Sequence, residues 1–341
     1  MTPTRLRAAL GDRRIGVHLA LGQGMVRAAD RAGAIGASTI QVFTDNPTAW
    51  RRRTAPPTDL PRFRLRLREL DIRLAAVHAA YLINLAGPEP DFWARSVSVL
   101  AAELRMAEAY GAPLVNVHIG SHKGAGREAG RRQLGRGLAE ALAAAELSAD
   151  TGPQLVLENS AGGGDALGDS LEDLAAILEA AAAAGVAQAR LAFCLDTAHL
   201  WGAGVDLRQE QVLDDLLARF DALLGAERLV LIHLNDSKAA LGSRADRHQH
   251  IGAGAIGEGG LRGVILHPRL ADVPMILETP GMDEGFDAVD MERVRRLIAG
   301  RRLPTLPRRA LELHGGRARR SAPGAASDEG ERAATAGAGR G

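Results

Sequence analysis

Nine side chains in this sequence have the chemistry of metal ligands: His78, His118, Glu158, Asp196, His199, His233, Asp246, His248 and Glu278. A tetrahedral zinc takes about four ligands and a catalytic zinc about three plus water. Five imidazoles and four carboxylates therefore exceed the needs of one cation and suit two or three. With no Cys among them the set fits Zn²⁺, and ligand type alone also accommodates Mn²⁺ or Fe²⁺. Clustered divalent cations lower the pKa of bound water, orient a phosphate and stabilise the attacking and leaving oxygens of an in-line displacement. Phosphoester hydrolysis is the reaction class these residues point to.

Such a set works only if the chain brings it together. Six of the nine end short apolar runs: LAAVH at His78, LVNVH at His118, QLVLE at Glu158, LAFCLD at Asp196, LVLIH at His233 and PMILE at Glu278. Two earlier runs, RIGVHL near His18 and STIQVF ending at Phe43, complete eight. Between them lie Ala-, Leu-, Arg- and Glu-rich stretches with helical character, among them residues 96–109, 131–149 and 171–184. Continuous apolar strands alternating with helices imply a parallel sheet covered on both faces, and eight such units predict a TIM (β/α)8 barrel. A barrel gathers all its strand ends on one rim. One buried His at a strand end is ordinarily a satisfied core residue, but six ligand types in a row would repel and stay unsatisfied without cations. Two loops add to them: D-T-A-H with Asp196 and His199, and D-R-H with Asp246 and His248 in an extended or turning segment.

Composition bounds the rest. The chain has 341 residues, of which 46 % are hydrophobic, enough for a large core. The net charge of +1 announces no nucleic-acid partner, and 3 % aromatic content argues against a base-stacking platform. Any contact with DNA must come from a local surface or from bound metal. The single cysteine, Cys194, cannot form an intrachain disulfide and reads as a buried core residue. No apolar leader opens the sequence and no run approaches about 18 apolar residues, so no membrane contact and a cytoplasmic location are expected. Three segments are expected: an N-terminal extension at 1–13, the barrel at 14–300, and a basic tail at 301–341. The tail holds Arg317, Arg319 and Arg320 and too little apolar surface to fold, so most of it is expected to be disordered. Gly252, Gly254 and Gly257 spell G-x-G-x-x-G but follow a ligand loop rather than a strand, so they are not a dinucleotide site.

Seven motifs, in order, resemble the endonuclease IV family: V-H-A-A-Y-L-I-N-L at 77–85, N-V-H-I-G-S-H at 116–122, L-E-N-S-A-G at 157–162, C-L-D-T-A-H at 194–199, H-L-N-D-S-K at 233–238, G-S-R-A-D-R-H at 242–248 and I-L-E-T-P at 276–280. The resemblance implies a zinc enzyme that acts on double-stranded DNA containing abasic sites, cutting the phosphodiester 5′ to the lesion and leaving a 3′-hydroxyl. It implies three zinc ions per chain: one held by His78, His118 and Glu158, one by Glu158, Asp196, His233 and Glu278, and one by His199, Asp246 and His248. Glu158 would bridge the first two, and the bridged pair would hold the attacking hydroxide near it, which makes Glu158 the catalytic residue. Mn²⁺ is an alternative occupant of some sites, and the chain is expected to be a monomer.

The same resemblance carries over Tyr81 and Leu82, in the loop after the third strand, as DNA contacts; Trp50 after the second strand, His122 four residues past His118, and Lys238 are further candidates. The family places an Arg and a polar residue just before that Trp, whereas this chain has Thr48 and Ala49. Arg51, Arg52 and Arg53 follow, either as substitute phosphate contacts or as a solvated basic run. His18 is expected behind the ligands, and His250, His267 and His314 on the surface. Two other readings are a sugar isomerase or epimerase of the xylose-isomerase-like barrels, which hold one or two metals, and a lesion-binding protein without catalysis.

Overall fold

Eight parallel strands close into a barrel: β1 (Ile15–Leu19), β2 (Thr39–Val42), β3 (Arg73–His78), β4 (Leu114–His118), β5 (Gln154–Glu158), β6 (Leu191–Asp196), β7 (Leu229–His233) and β8 (Met275–Leu277). The computed structural model describes residues 2–148 and 151–312. Each strand pairs with its chain neighbours, and β1 closes on β8 with Ile15 beside Met275. Along β4 and β5 the register puts His118 beside Glu158, and along β6 and β7 it puts Asp196 beside His233. Ala76, Leu114, Val156, Ala192, Cys194, Leu231 and Ile276 fill the barrel's interior. Cys194 is buried and free there, and burial pushes its thiol up to about 12.

Helices cover the outside: α1 (Pro3–Ala8), α2 (Met25–Ala34), α3 (Leu60–Glu69), α4 (Pro90–Tyr110), α5 (Arg127–Ala145), α6 (Leu171–Ala183), α7 (Thr197–Gly202), α8 (Glu210–Leu224), α9 (Gly257–Leu266), α10 (Asp287–Ile298) and α11 (Arg308–Glu312). The longer ones carry an apolar stripe toward the barrel. On α8 the buried residues are Leu213, Leu217, Phe220 and Leu224, at the three- and four-residue spacing that lines one helix face. Burying each such side chain contributes roughly 1.5–3 kcal/mol. Ser170 caps α6 by accepting from the Asp173 amide at 3.2 Å. No helix among the described residues is long and apolar enough to cross a membrane.

The expected edges of the domain shift. The described part of the N-terminal extension, residues 2–13, packs on the barrel: Leu10 is buried, Arg7 donates to the Leu70 carbonyl at 2.9 Å, and Arg13 donates to the Ile265 carbonyl at 2.7 Å. At the other end the tail expected from residue 301 starts as packed chain. Leu303, Leu306 and Ala310 are buried, because three small or apolar side chains spaced through 301–312 find a surface that composition did not reveal. The basic cluster and His314 lie outside the described residues. His250 and His267, expected on the surface, are both buried. His267 pairs through Nε2 with Asp214 at 2.9 Å, and His250 sits between Asp290 and the Ala310 carbonyl. Each imidazole is satisfied by its own acceptor, which offsets the cost of burying it.

Candidate metal centre

Barrel geometry delivers the ligand set. His78, His118, Glu158, Asp196 and His233 are the last residues of β3 to β7, and Glu278 directly follows β8. All six therefore stand on one rim. His199 joins them through α7, whose N-cap is Asp196: its Oδ1 accepts from the His199 amide at 2.9 Å. The three-residue spacing of D-T-A-H is thus the spacing of a capped first helical turn. Asp246 and His248 lie on an extended segment. There His248 and Gln249 pair antiparallel with Ser237 and Asp236.

The side chains converge in three groups. His78 Nε2 and His118 Nε2 lie 3.6 and 3.5 Å from Glu158 Oε2. His233 Nδ1 lies 3.3 Å from both Glu158 Oε1 and Glu278 Oε2, and 4.0 Å from Asp196 Oδ2. The third group closes on Asp196, His199 and His248, with His248 Nε2 3.5 Å from Asp196 Oδ2. Asp246 stands beside it, 3.3 Å from His199 Nε2 and 3.2 Å from His248 Nε2. Glu158 belongs to two groups, and Asp196 also belongs to two.

Four of the five imidazoles are oriented from behind. His78 Nδ1 donates to the Ala79 carbonyl at 2.7 Å, His199 Nδ1 to the Asn159 carbonyl at 2.8 Å, and His248 Nδ1 to the Glu278 carbonyl at 3.0 Å. His233 donates through Nε2 to Gln41 Oε1 at 3.2 Å. Each ring's second nitrogen is left as a lone pair facing the cluster, the arrangement that prepares a His for a metal. His78 Nε2, Glu158 Oε1, His233 Nδ1 and His248 Nε2 are buried without hydrogen-bond partners. Unpartnered buried polar atoms are costly, and cations at these positions would satisfy all four. The residues present fit a multinuclear metal centre.

The electrostatics agree with the geometry. Burial opposes ionisation of Glu158, but His233 and His118 hold it well below the usual carboxylate range. Burial likewise opposes Asp196, which His199 and His248 hold down. Conversely, His199 and His248 resist charging through burial, yet Asp196 and Asp246 raise both well above an ordinary imidazole. Without cations, protons supply the positive charge that the carboxylates demand.

Four residues that support the cluster carry no ligand signature and were not singled out in the sequence. Asn116 donates to Glu158 Oε2 at 2.6 Å, Asn235 to Asp196 Oδ2 at 2.7 Å, and Gln41 to Glu278 Oε1 at 2.8 Å. Asn159 Oδ1 accepts from the Asp196 amide at 2.7 Å. The available signal was a lone amide in or beside an apolar strand run. His18 takes the expected place behind the ligands, buried with Nδ1 3.2 Å from Glu278 Oε1.

The expected DNA contacts separate. Tyr81 is 53 % exposed with its ring 5.5 Å from His78 and 5.8 Å from His118, so it overhangs the mouth. Leu82 is partly buried against the core, and Trp50 packs edge-to-face on Phe92 at 5.0 Å. His122 turns into its own loop, accepting from the Gly126 amide at 3.2 Å. Lys238 is exposed, its amide bonded to the Arg247 carbonyl at 2.8 Å. Thr48 folds back on Asn46 Oδ1 at 2.9 Å. The run 51–53 is not uniformly solvated. Arg52 turns inward, donating to the Asn46 carbonyl at 2.9 Å and lying 3.6 Å from the buried Glu103 carboxylate.

Comparison with known proteins places this arrangement. Residues 29–300 match the family model described as xylose isomerase-like TIM barrel. A probable endonuclease 4 of Halothermothrix orenii is 38 % identical over 283 residues, covering 82 % of this chain and 99 % of that protein. Another, from Methanosphaerula palustris, is 39 % identical over 288 residues, covering 84 % and 99 %. The crystal structure of endonuclease IV from Thermus thermophilus superposes with a TM-score of 0.71 at 35 % identity, covering 84 % of this chain and 99 % of that one. A D-tagatose 3-epimerase-like protein shares the fold at 15 % identity and a TM-score of 0.61.

Proposed function

This chain belongs to the endonuclease IV family of xylose isomerase-like TIM barrels, and on that premise we propose that it is a zinc-dependent endonuclease of base excision repair. It hydrolyses the DNA phosphodiester 5′ to an abasic site and leaves a 3′-hydroxyl. The observation that carries the reading is the convergence of three ligand groups on one rim, with Glu158 common to two of them. An isomerase holding one or two metals gives no reason for a third group at Asp196, His199 and His248 with Asp246 beside it.

His78, His118 and Glu158 would hold one zinc, Glu158 with Asp196, His233 and Glu278 a second, and His199, Asp246 and His248 a third. Bound there, the ions would supply Lewis acidity toward the phosphate and a water of lowered pKa. The chain's own residues set the geometry. Asn116 fixes Glu158 from one side, so its other oxygen faces the His199 and His233 nitrogens at 3.2 and 3.3 Å. Hydrolysis adds water across the P–O3′ bond, the hydroxyl going to phosphorus and the proton to the departing 3′ oxygen. Asp246, 54 % exposed at the outer edge, is the ligand most open to solvent and to an incoming DNA strand. Tyr81 overhangs the mouth, its ring 5.5 Å from His78 and 5.8 Å from His118.

The test is incision of a duplex carrying one abasic site, by the protein as purified, after exhaustive chelation, and after zinc is restored. Incision should vanish on chelation and return with zinc. Full incision by protein shown free of metal by elemental analysis would overturn the proposal.

A further inference from the structure

The C-terminal segment that follows α10 runs back to the loop that carries Asp246 and His248. The segment follows the range matched by the family model, residues 29–300. Two residues beyond His248, the buried His250 is held on both sides: its Nδ1 lies 2.7 Å from Asp290 Oδ2 on α10, and its Nε2 donates to the Ala310 carbonyl at 3.0 Å. The next amide, of Ile251, donates to Asp290 Oδ1 at 2.8 Å, and the Ile251 carbonyl accepts from Arg293 Nε. The same Arg293 reaches the segment itself, donating through Nη1 to the Pro304 carbonyl at 2.6 Å. Gly252 completes the seat. Its φ of +70° is the left-handed region, and a Cβ there would lie 2.5 Å from Leu303 Cδ1.

We propose that residues 303–310 form a clasp that positions the Asp246–His248 ligand segment, with His250 as its positioning residue. Three consecutive residues of the ligand loop, 250 to 252, contact either the segment or the α10 side chains that hold it. The ribbon that holds His248 is short: the antiparallel pairing covers only Asp236–Ser237 with His248–Gln249. Asp246 is half exposed, and its carboxylate faces the two imidazoles of His199 and His248. The backbone aim of this outer ligand group therefore depends on what anchors the loop just beyond it: Asp236, which accepts from the Gly254 and Ile256 amides at 2.9 and 3.0 Å, holds its far end, and the clasp holds residues 250–252, nearest His248. The ligands on the barrel strands need no such support.

This inference rests on the reading of the third group as a metal site, and its test is independent of DNA incision. Zinc-loaded full-length protein is mixed with excess chromogenic chelator, and zinc release is followed in time with thermal melts alongside. Two variants are compared with the parent: His250→Ala, and Leu303→Ser on the opposite side of the contact. One zinc equivalent per chain should leave about tenfold faster in both variants, as typically follows loss of support behind a ligand, while the slower equivalents keep their rates. Leu303→Ser, the milder change, keeps the test valid if His250→Ala does not fold. Unchanged release, or acceleration of all equivalents in proportion to a lowered Tm, would overturn the proposal. A parent that binds only two zinc equivalents per chain would overturn it together with the reading of the third group, whatever its activity on abasic DNA.

Discussion

Asn116 on β4 donates through Nδ2 to Glu158 Oε2 on β5 across 2.6 Å, with both side chains inside the barrel mouth and shielded from solvent. One oxygen of the central carboxylate is thereby pinned, and the other is left unpartnered among imidazole nitrogens. The carboxylate is fixed in position before any cation arrives.

Replacing Glu158 by Gln keeps the shape, removes the charge and puts an N–H where a cation should sit. Turnover on abasic-site duplex should fall at least about 100-fold, the upper end of what loss of mere supporting groups causes. The barrel should stay folded by circular dichroism, and bound zinc should drop on elemental analysis. A variant with a full metal complement and near-parental incision would remove Glu158 from the mechanism.

Asn116→Ala tests the pin itself. Glu158 Oε2 would lose a buried donor, at a stability cost of about 1–3 kcal/mol. Metal affinity or turnover should fall about 10–100-fold. Competition against a chelator of known affinity measures the first. Parental affinity in the variant would mean that Glu158 holds its place without help.

The metal-free protein should respond to pH in the opposite sense to the metal it binds. His199 and His248 are raised above their unfolded value. Their contribution to stability is complete below about pH 6.5 and is lost as pH rises through the folded values. Glu158 and Asp196 are depressed, so their contribution holds above about pH 4 and is lost only as pH falls below that. Metal-free protein should therefore be most stable between about pH 4 and 6.5 and weaken toward pH 8. Zinc must displace the same protons, so its stabilising increment should grow over that upper range. Paired melts of metal-free and zinc-loaded protein at about pH 6 and about pH 8, on either side of the ordinary imidazole value, check this. A gap in Tm that stays constant or narrows would contradict it.

Deleting residues 313–341 should leave incision of short duplexes within about twofold. The composition of that stretch supports no core of its own, and the clasp residues remain. Kinetics of the shortened chain on a single-lesion duplex decide the matter: a large loss with the fold retained would show that Arg317, Arg319 and Arg320 contribute to DNA binding.

The convergence of six candidate ligands was legible because each ends an apolar run, and period and position together say where a strand stops and which way its end faces; His199, Asp246 and His248 were read instead from the D-T-A-H and D-R-H spacings in two loops. β2 and β8 each end one residue earlier than their apolar runs do, at Val42 and Leu277, without moving the residues that matter. The supporting amides were not legible. Gln41 and Asn116 look like tolerated polar residues in a strand, and only the closed barrel reveals that they face ligands rather than helices. The clasp was hidden for a different reason. Leu303 and Leu306 sit among prolines and arginines, and a segment that buries a few side chains on an existing surface needs no apolar periodicity of its own. His250 followed from that: its partners are a carbonyl 60 residues later and a carboxylate on another helix.

Asp196 divides its two oxygens between different tasks. Oδ1 caps α7 by accepting from the His199 amide, while Oδ2 faces His248 and His233. A substitution at Asp196 would therefore unwind the start of the helix that carries His199 while it empties a ligand position, and its phenotype would merge two defects. Asp246 stands apart from any helix start, with its carboxylate half open to solvent. It is the position at which the outer ligand group can be retuned, for affinity or for a different cation, while the rest of the scaffold is left as it is.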